Sequence, residues 1–218
     1  FEASLLGQTV LIESKLVGAF NVSNLLAAAT VLAGMGFSAE EIRGAIKDIP
    51  PVPGRLEVIS AGEFHAVVDY AHTPDGLIQA QRSLRPLTRG RLITVFGCGG
   101  DRDRGKRPIM GEAVAELADV GVVTSDNPRT EDPERIIADI LPGIENTRAK
   151  RPSFSTVQQT DRKAAIAWAL KEAKAGDVVL VAGKGHEDYQ EIGLERFPFS
   201  DQSICRSIIG ERARPRSA

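Results

Sequence analysis

Cysteine is scarce in this chain: two in 218 residues, Cys98 and Cys205, far apart and in different sequence surroundings. They offer neither a disulfide framework nor zinc-ligand spacing, so a reducing cytoplasm is the expected setting. No apolar run approaches the roughly 18 residues that a membrane-crossing helix needs. Acidic and polar residues interrupt Phe1 to Gly18, which removes a signal-peptide reading. An excess of one charge is lacking too. Lys and Arg number 27 against 29 Asp and Glu, a formal net charge of −2. That balance argues against a nucleic-acid binder working by broad phosphate neutralisation. There is no internal repeat and no low-complexity segment. An initiating Met is missing, and the chain opens in strand-like sequence (Ala3-Ser4-Leu5-Leu6, then Gln8-Thr9-Val10-Leu11-Ile12), so a fragment of a longer protein is expected.

What is present is an ordinary globular composition, 42% hydrophobic and 26% charged. Phe20 to Met35 is Ala- and Leu-rich and helix-like, and Ser38 with Glu41 forms a capping box for a second helix to about Ile49. The cluster Pro50-Pro51-Val52-Pro53-Gly54 breaks the pattern and places a domain boundary, dividing 1–53 from 54–218. Beyond it, Leu56 to Ser60 and Phe64 to Asp69 read as a hairpin. Strands at Leu92 to Phe96, Val120 to Thr124, Phe154 to Val157 and Val178 to Ala182 then alternate with helices at Pro74 to Leu84, Pro108 to Ala118, Pro133 to Leu141 and Asp161 to Ala175. Tyr189 to Ile192 and Arg196 to Phe199 read as a small hairpin, followed by a helix from Ser200 to about Ile209. Alternating strands and helices predict an α/β fold with a doubly wound, mostly parallel sheet. The near-continuous Val/Ile/Leu runs predict strands covered on both faces.

Four strands end in charged or Gly-rich loops, and the crossover rule brings all four to one edge of the sheet. Asp126-Asn127-Pro128-Arg129 is the most informative. It lies just past a strand's carboxyl end, where open α/β sheets bind ligands. Arg offers a planar fork to a carboxylate, while Asp and the Asn carbonyl accept from an amine. The implied cargo is the zwitterionic end of an amino acid.

In the loop Gly97 to Pro108, glycines 97, 99 and 100 let backbone N–H groups approach an anion, and Arg102, Arg104, Lys106 and Arg107 supply cations for a carboxylate or phosphate. This loop is neither a P-loop nor a G-x-G-x-x-G fingerprint. Gly183-Lys184-Gly185 resembles a phosphate cradle without the Ser or Thr that would hold magnesium, and reads as an apposed binding loop with Glu187 open to an ammonium group. His186 is read as orienting its neighbours. His72, in Asp69-Tyr70-Ala71-His72-Thr73-Pro74, has two readings, a ligand contact or a hydrogen-bonded structural histidine. Cys98 reads as a packed residue, with no His or acid beside it in sequence, and Trp168 as core.

Together with Phe20-Asn21-Val22-Ser23-Asn24, Gly54-Arg55-Leu56-Glu57, Gly97-Cys98-Gly99-Gly100-Asp101-Arg102 and Ala182-Gly183-Lys184-Gly185-His186-Glu187-Asp188-Tyr189, these loops resemble the Mur ligase family, and within it the ligases that add diaminopimelate. The motifs span about Gly18 to Asp201. The resemblance implies the tail of a central ATPase domain over 1–53 and a Rossmann-like, amino-acid-binding C-terminal domain over 54–218. It implies ATP and Mg2+ as cofactors, the magnesium ligands lying upstream of these residues. ATP would phosphorylate the D-glutamate γ-carboxylate of UDP-MurNAc-L-Ala-D-Glu, and the amine at the L-centre of meso-diaminopimelate would attack the acyl phosphate. No nucleic-acid or membrane partner is implied.

Carried over by motif, Arg102, Asp126, Asn127, Pro128, Arg129, Gly183 and Glu187 would bind meso-diaminopimelate, Arg129 taking the distal carboxylate and Glu187 the distal ammonium. Lysine-adding relatives depart from the tetrad at its Arg. Asn24 is implied at adenine, Asp69 at ribose and Arg55 near phosphate, with His72 among the nucleotide contacts. The family's P-loop, carbamylated lysine and UDP-sugar contacts are absent from these 218 residues, so no ligase turnover is expected from this chain by itself. Two alternatives stand beside this reading. One is a stand-alone module that captures a zwitterionic amino acid. The other is a folate-polyglutamylating or cyanophycin-type ligase of the same architecture.

Overall fold

The computed structural model describes residues 1–213. The chain divides into two compact units, Phe1–Val52 and the remainder from Pro53 on.

The first unit holds an antiparallel hairpin, β1 (Glu2–Leu5) and β2 (Gln8–Leu11), and two helices, α1 (Ala19–Gly34) and α2 (Ala39–Asp48). Gly7 closes the hairpin at φ 78°. The Ser38–Glu41 capping box forms as expected: the Ser38 Oγ accepts from the Glu41 N–H, and Glu41 Oε2 accepts from the Ser38 N–H at 2.9 Å. Ala3, Leu5, Ile12, Leu25, Ala29, Ile42 and Ile46 make a small core of their own.

The second unit is built on a six-stranded sheet in the order β3-β4-β8-β5-β6-β7. Its strands are β3 (Glu57–Ser60), β4 (His65–Asp69), β5 (Leu92–Phe96), β6 (Val120–Val123), β7 (Ser155–Gln158) and β8 (Val178–Ala182). β3 runs antiparallel to β4 at the edge, and every other pairing is parallel. The connecting helices are α3 (Pro74–Leu84), α4 (Lys106–Leu117), α5 (Pro133–Arg148) and α6 (Arg162–Glu172). β4 to β7 progresses in one direction across the sheet, and β8 returns to fill the gap between β4 and β5. A right-handed crossover therefore puts α3, α4 and α5 on one face and α6 on the other. The packing agrees. Ala66 and Val68, Ile93 and Val95, Val120 and Val122, and Val179 and Val181 share one cluster with Ala165, Ile166, Ala169 and Leu170 of α6. Residues of opposite parity look the other way; the Thr94 hydroxyl meets Gln81 Oε1 of α3 at 3.2 Å. After β8 come the hairpin β9 (Tyr189–Ile192) and β10 (Glu195–Pro198), then α7 (Asp201–Ala213).

Helix ends depart from expectation in three places. α5 was expected to stop before Pro142 and instead runs to Arg148 with Pro142 inside it. A proline forfeits one helical hydrogen bond. Here Pro142 is exposed, while Gly143, Ile144 and Thr147 beyond it are buried. Gly143 lies so close to α4 that a Cβ would sit 1.8 Å from the Pro108 carbonyl oxygen. Burial of that last turn outweighs the missing bond. α6 ends at Glu172 rather than Ala175, and α7 runs past Ile209. Among the described residues no helix is long and apolar enough to cross a membrane.

Candidate functional site

All four polar loops leave the carboxyl ends of parallel strands, β4, β5, β6 and β8. At the end of β4, Asp69 is turned inward and buried. Its Oδ2 accepts from the Leu56 N–H and its Oδ1 from the Ala71 N–H, both at 2.8 Å. Burial pushes its carboxyl above the usual range, although these bonds and Arg55 pull the other way. Asp69 thus ties the start of β3 to the end of β4, and a ribose hydroxyl could reach only the lone pairs left over. His72 lies exposed with Nδ1 2.7 Å from the Tyr70 carbonyl oxygen. A carbonyl only accepts, so Nδ1 carries the proton; both readings of this histidine remain compatible with its place. Arg55 stacks over the Tyr70 ring at 4.5 Å.

The Gly-rich loop after β5 corrects the basic-cluster expectation. Arg107 is fully buried, and its guanidinium is spent on Glu131 (2.8 Å) and Asp139 (2.8 Å). Arg104 pairs with the same Glu131 at 2.9 Å. These acids lie 24 to 32 residues beyond Arg107, so the local sequence looked unpaired and free to hold an anion. Instead Glu131 staples the Gly-rich loop to the loop after β6, and Asp139 ties Arg107 to α5. The Asp101 N–H adds a bond to Glu131 Oε1 at 2.6 Å, and the Thr130 N–H one to Asp101 Oδ2 at 3.1 Å. Gly100 fits because a Cβ there would stand 1.9 Å from the Pro128 carbonyl oxygen. Cys98 is buried with its sulfur 3.4 Å from that of Met110, and burial pushes its thiol up to about 12. It is a packed residue and not a nucleophile.

The tetrad after β6 brings a second correction. Asp126 and the Asn127 carbonyl were expected to accept from an incoming amine. The amine they meet belongs to Lys184 of this chain, which is fully buried. Its Nζ donates to Asn127 Oδ1 at 2.6 Å and to the Tyr189 carbonyl at 3.0 Å, and lies 3.4 Å from Asp126 and 3.8 Å from Glu187. Burial pulls this ammonium below its ordinary value, while the carboxylates of Asp126 and Glu187 oppose that pull. Asn127 Nδ2 donates to Glu187 Oε2 at 3.2 Å. Beneath them Arg162 and Asp201, both fully buried, pair at 2.9 and 2.7 Å, and Arg162 also holds the Ala182 carbonyl at 2.9 Å. That pair anchors the end of β8 to the starts of α6 and α7.

Above this charged floor lies a cavity of about 330 Å3. Arg102, Asp126, Asn127, Arg129, Gly183 and Glu187 line it, with His72 at its wall. Pro128 is buried behind it, against Gly100. Arg55 and Asp69 are not among its lining, and Asn24 is exposed on α1 of the first unit. The cavity also takes in Lys106, Gly97 and Gly99, which the loop reading named, and Tyr70, whose role was missed. Burial and the Glu187 carboxylate push the Tyr70 phenol up, keeping it neutral. Its place inside the Asp69 to Pro74 motif was the available signal. Among the described residues no group of three or more His, Cys, Asp or Glu is placed to hold a metal ion.

Such a cavity, polar and lined by charges of both signs at the carboxyl edge of a parallel sheet, has the place and the chemistry of a small-molecule site in an α/β domain. The chain belongs to the Mur ligase family: residues 54–185 match the family model described as Mur ligase, glutamate ligase domain. It is 51% identical over 201 residues to the UDP-N-acetylmuramoyl-L-alanyl-D-glutamate--2,6-diaminopimelate ligase of Gloeobacter violaceus, a match covering 91% of this chain and 40% of that one. A solved structure of a ligase with the same name superposes with a TM-score of 0.74 at 42% identity, covering 98% of this chain and 43% of the other. Folylpolyglutamate synthase from Mycobacterium tuberculosis, solved with ADP and AMPPCP, shares the fold at 20% identity with a TM-score of 0.64, covering 96% of this chain and 47% of that one. The chain spans about 40% of the length of the curated relatives it matches.

Proposed function

We propose that this chain supplies the amino-acid-binding part of an ATP-dependent ligase that joins meso-2,6-diaminopimelate to the D-glutamate γ-carboxylate of UDP-MurNAc-L-Ala-D-Glu in peptidoglycan synthesis. The observation that carries the reading is the placement of Arg129, Arg102 and Glu187 around one cavity. Meso-diaminopimelate has two carboxylates and two amines. Arg129 faces the distal carboxylate, Glu187 the distal ammonium, and Arg102 the carboxylate at the reacting end. The cavity shows three cations, Arg102, Lys106 and Arg129, against Asp126 and Glu187, and Lys184 behind it neutralises part of that acidity. The excess cation matches a second acid group that lysine does not have. Glu191 pairs with the Nε side of Arg129, and the Nη groups left without a ligand carboxylate would disfavour lysine.

In the reaction so proposed, the free amine attacks an acyl phosphate. The C–N bond forms as the C–O bond to phosphate breaks, inorganic phosphate leaves, and the nitrogen sheds its proton to solvent. The part of these residues is to hold the amine's carrier in one orientation. Arg55, stacked over the Tyr70 ring, is the cation assigned to the nucleotide, together with Asp69 and His72. ATP supplies the phosphoryl group. The Mg2+ ligands are assigned upstream of these residues; among the described residues no group of three or more His, Cys, Asp or Glu is placed to hold a metal ion. A neighbour of the same fold solved with ADP and AMPPCP supports a nucleotide-using ligase, and the suitability of the Asp126 to Arg129 loop for a second zwitterionic end favours diaminopimelate over folate.

Calorimetry tests the assignment. Arg129→Ala is expected to weaken meso-diaminopimelate about 10- to 100-fold, a contact of roughly 1.5–3 kcal/mol for a charged hydrogen bond, and not to weaken lysine. Equal losses for the two amino acids, or no binding of meso-diaminopimelate by the wild-type chain, would overturn it.

A further inference from the structure

Residues 186 onward fall outside the matched family model, yet the β9–β10 hairpin lies along the tetrad and touches each of its functional members. The Gln190 amide donates to the Asp126 carbonyl at 2.7 Å, and the Glu191 N–H to Asn127 Oδ1 at 3.0 Å. The Arg129 N–H donates to the Glu191 carbonyl at 3.1 Å, and the Gly193 N–H to the Arg129 carbonyl at 2.7 Å. Arg129 itself sits at φ 50°, a left-handed conformation that costs a non-glycine residue about 1 kcal/mol, and these two bonds hold it there. The side chain is gripped as firmly as the backbone. Glu191 Oε2 forms an ion pair with Arg129, 2.9 Å from Nε, and the Gly100 carbonyl accepts from Nη1 at 2.9 Å. Glu191 is held in turn by Arg196, whose Nε reaches Oε1 at 3.0 Å and whose guanidinium stacks 4.3 Å over the Tyr189 ring. With Nε paired to Glu191 and Nη1 bonded to the Gly100 carbonyl, Nη2 and the second Nη1 proton are what Arg129 has left for a ligand, and Arg129 lines the cavity.

We propose that Glu191 is the positioning residue of this site, and that the β9–β10 hairpin sets its selectivity for an amino acid with a second carboxylate by pinning the Arg129 guanidinium end-on to the cavity. The inference rests on the reading of Arg129 given above and adds to it the element that makes the arginine selective. Glu191 touches no substrate; it acts through Arg129. The sign of its effect is diagnostic. If it were merely a nearby negative charge, its removal would strengthen binding of the ligand's distal carboxylate. If it pins the guanidinium, its removal weakens that binding, because a mobile Arg must be ordered each time a carboxylate arrives.

The experiment uses the 218-residue chain with Glu191→Ala, Glu191→Gln and Arg129→Ala, titrated with meso-diaminopimelate and with L-lysine. Expected are a loss of about 10-fold for meso-diaminopimelate in Glu191→Ala, no change for lysine, and recovery to within about 3-fold of wild type in Glu191→Gln, whose amide oxygen still accepts from Nε. Tighter or unchanged meso-diaminopimelate binding in Glu191→Ala, or an equal loss of both ligands, overturns the pin. If Arg129→Ala keeps its selectivity, the functional reading has failed instead. A ligand-free measurement decides the pin independently: the Arg129 Nε–H resonance should exchange slowly with solvent in wild type and Glu191→Gln, and at least 10-fold faster in Glu191→Ala. Equal exchange in all three overturns it.

Discussion

Lys184 is the residue whose surroundings do most to define the site from below. Its ammonium is removed from water and met by Asn127, the Tyr189 carbonyl and two carboxylates. A buried cation stays charged only with such partners, and its partners depend on it equally. Replacing Lys184 by Met keeps the stem's volume and leaves Asp126, whose Oδ1 has no hydrogen-bond partner, without its counter-charge. The expected cost is roughly 3 kcal/mol, read from urea denaturation. Adding Asp126→Asn to Lys184→Met should recover more than half of it. A Lys184→Met chain within about 1 kcal/mol of wild type would mean that the ammonium is not the partner the geometry makes it. The sequence could not distinguish Lys184 from Arg102. Both follow a glycine-rich strand end, and both read as ligand cations. Which of two cations turns inward is decided by acceptors 57 residues away in Asn127, a tertiary fact with no local trace. Arg107 and its acids are the same case. By contrast the gathering of Asp126, Asn127 and Arg129 at one cavity was legible, because they follow a parallel strand's carboxyl end, where such loops converge; that Lys184 would meet Asp126 and Asn127 was not.

At the scale of elements, the strands were legible because they are short apolar runs with turn residues on either side. The β3–β4 and β9–β10 hairpins were legible as paired strand-like runs around short turns, where Gly62 and Gly193 take positive φ. Helix ends were less so, since α5 continues through a proline for the sake of its packing on α4. What no periodicity announces is how closely two loops approach. Gly54, at φ 65°, lies where a Cβ would stand 2.2 Å from the Gly185 carbonyl carbon and from the His186 nitrogen. Gly185, at φ 54°, is crowded in return by Tyr70 and by the Gly54 carbonyl. Gly54→Ala therefore faces both an unfavourable backbone conformation and a backbone clash that no rotamer relieves. It should cost about 2 kcal/mol or more by urea denaturation. Because the clash displaces the segment carrying Glu187, it should also weaken meso-diaminopimelate in calorimetry. Gly36, also at positive φ but open to space on every side, is the control; its Ala variant should lose stability alone. Gly54→Ala with wild-type stability and binding would contradict the contact.

For the whole molecule, the interior of the second unit is an apolar sheet between two helical layers, and little in it titrates. Acid acts at the rim. There the Arg107 guanidinium, joined by the Asp101 N–H and Arg104, holds the Glu131 carboxyl down at about 2, from an ordinary 4.5. The sign follows from proton binding. Between those two values the unfolded chain takes up a proton that the folded chain refuses, so Glu131's contribution is complete above about 4.5 and is lost as pH falls toward about 2. Wild type and Glu131→Gln should thus differ clearly in urea midpoint at pH 6, and the difference should shrink steadily on acidification until it has nearly vanished by about pH 2. A constant gap across that range would show that Glu131 serves by shape and not by charge. The same titration releases the staple between the Gly-rich loop and the tetrad loop, the two segments that carry Arg102 and Arg129. Selectivity for the second carboxylate should therefore fade in the same acid window as this increment of stability, and a calorimetric series in meso-diaminopimelate at descending pH, run in wild type and Glu131→Gln, would show the two declining together.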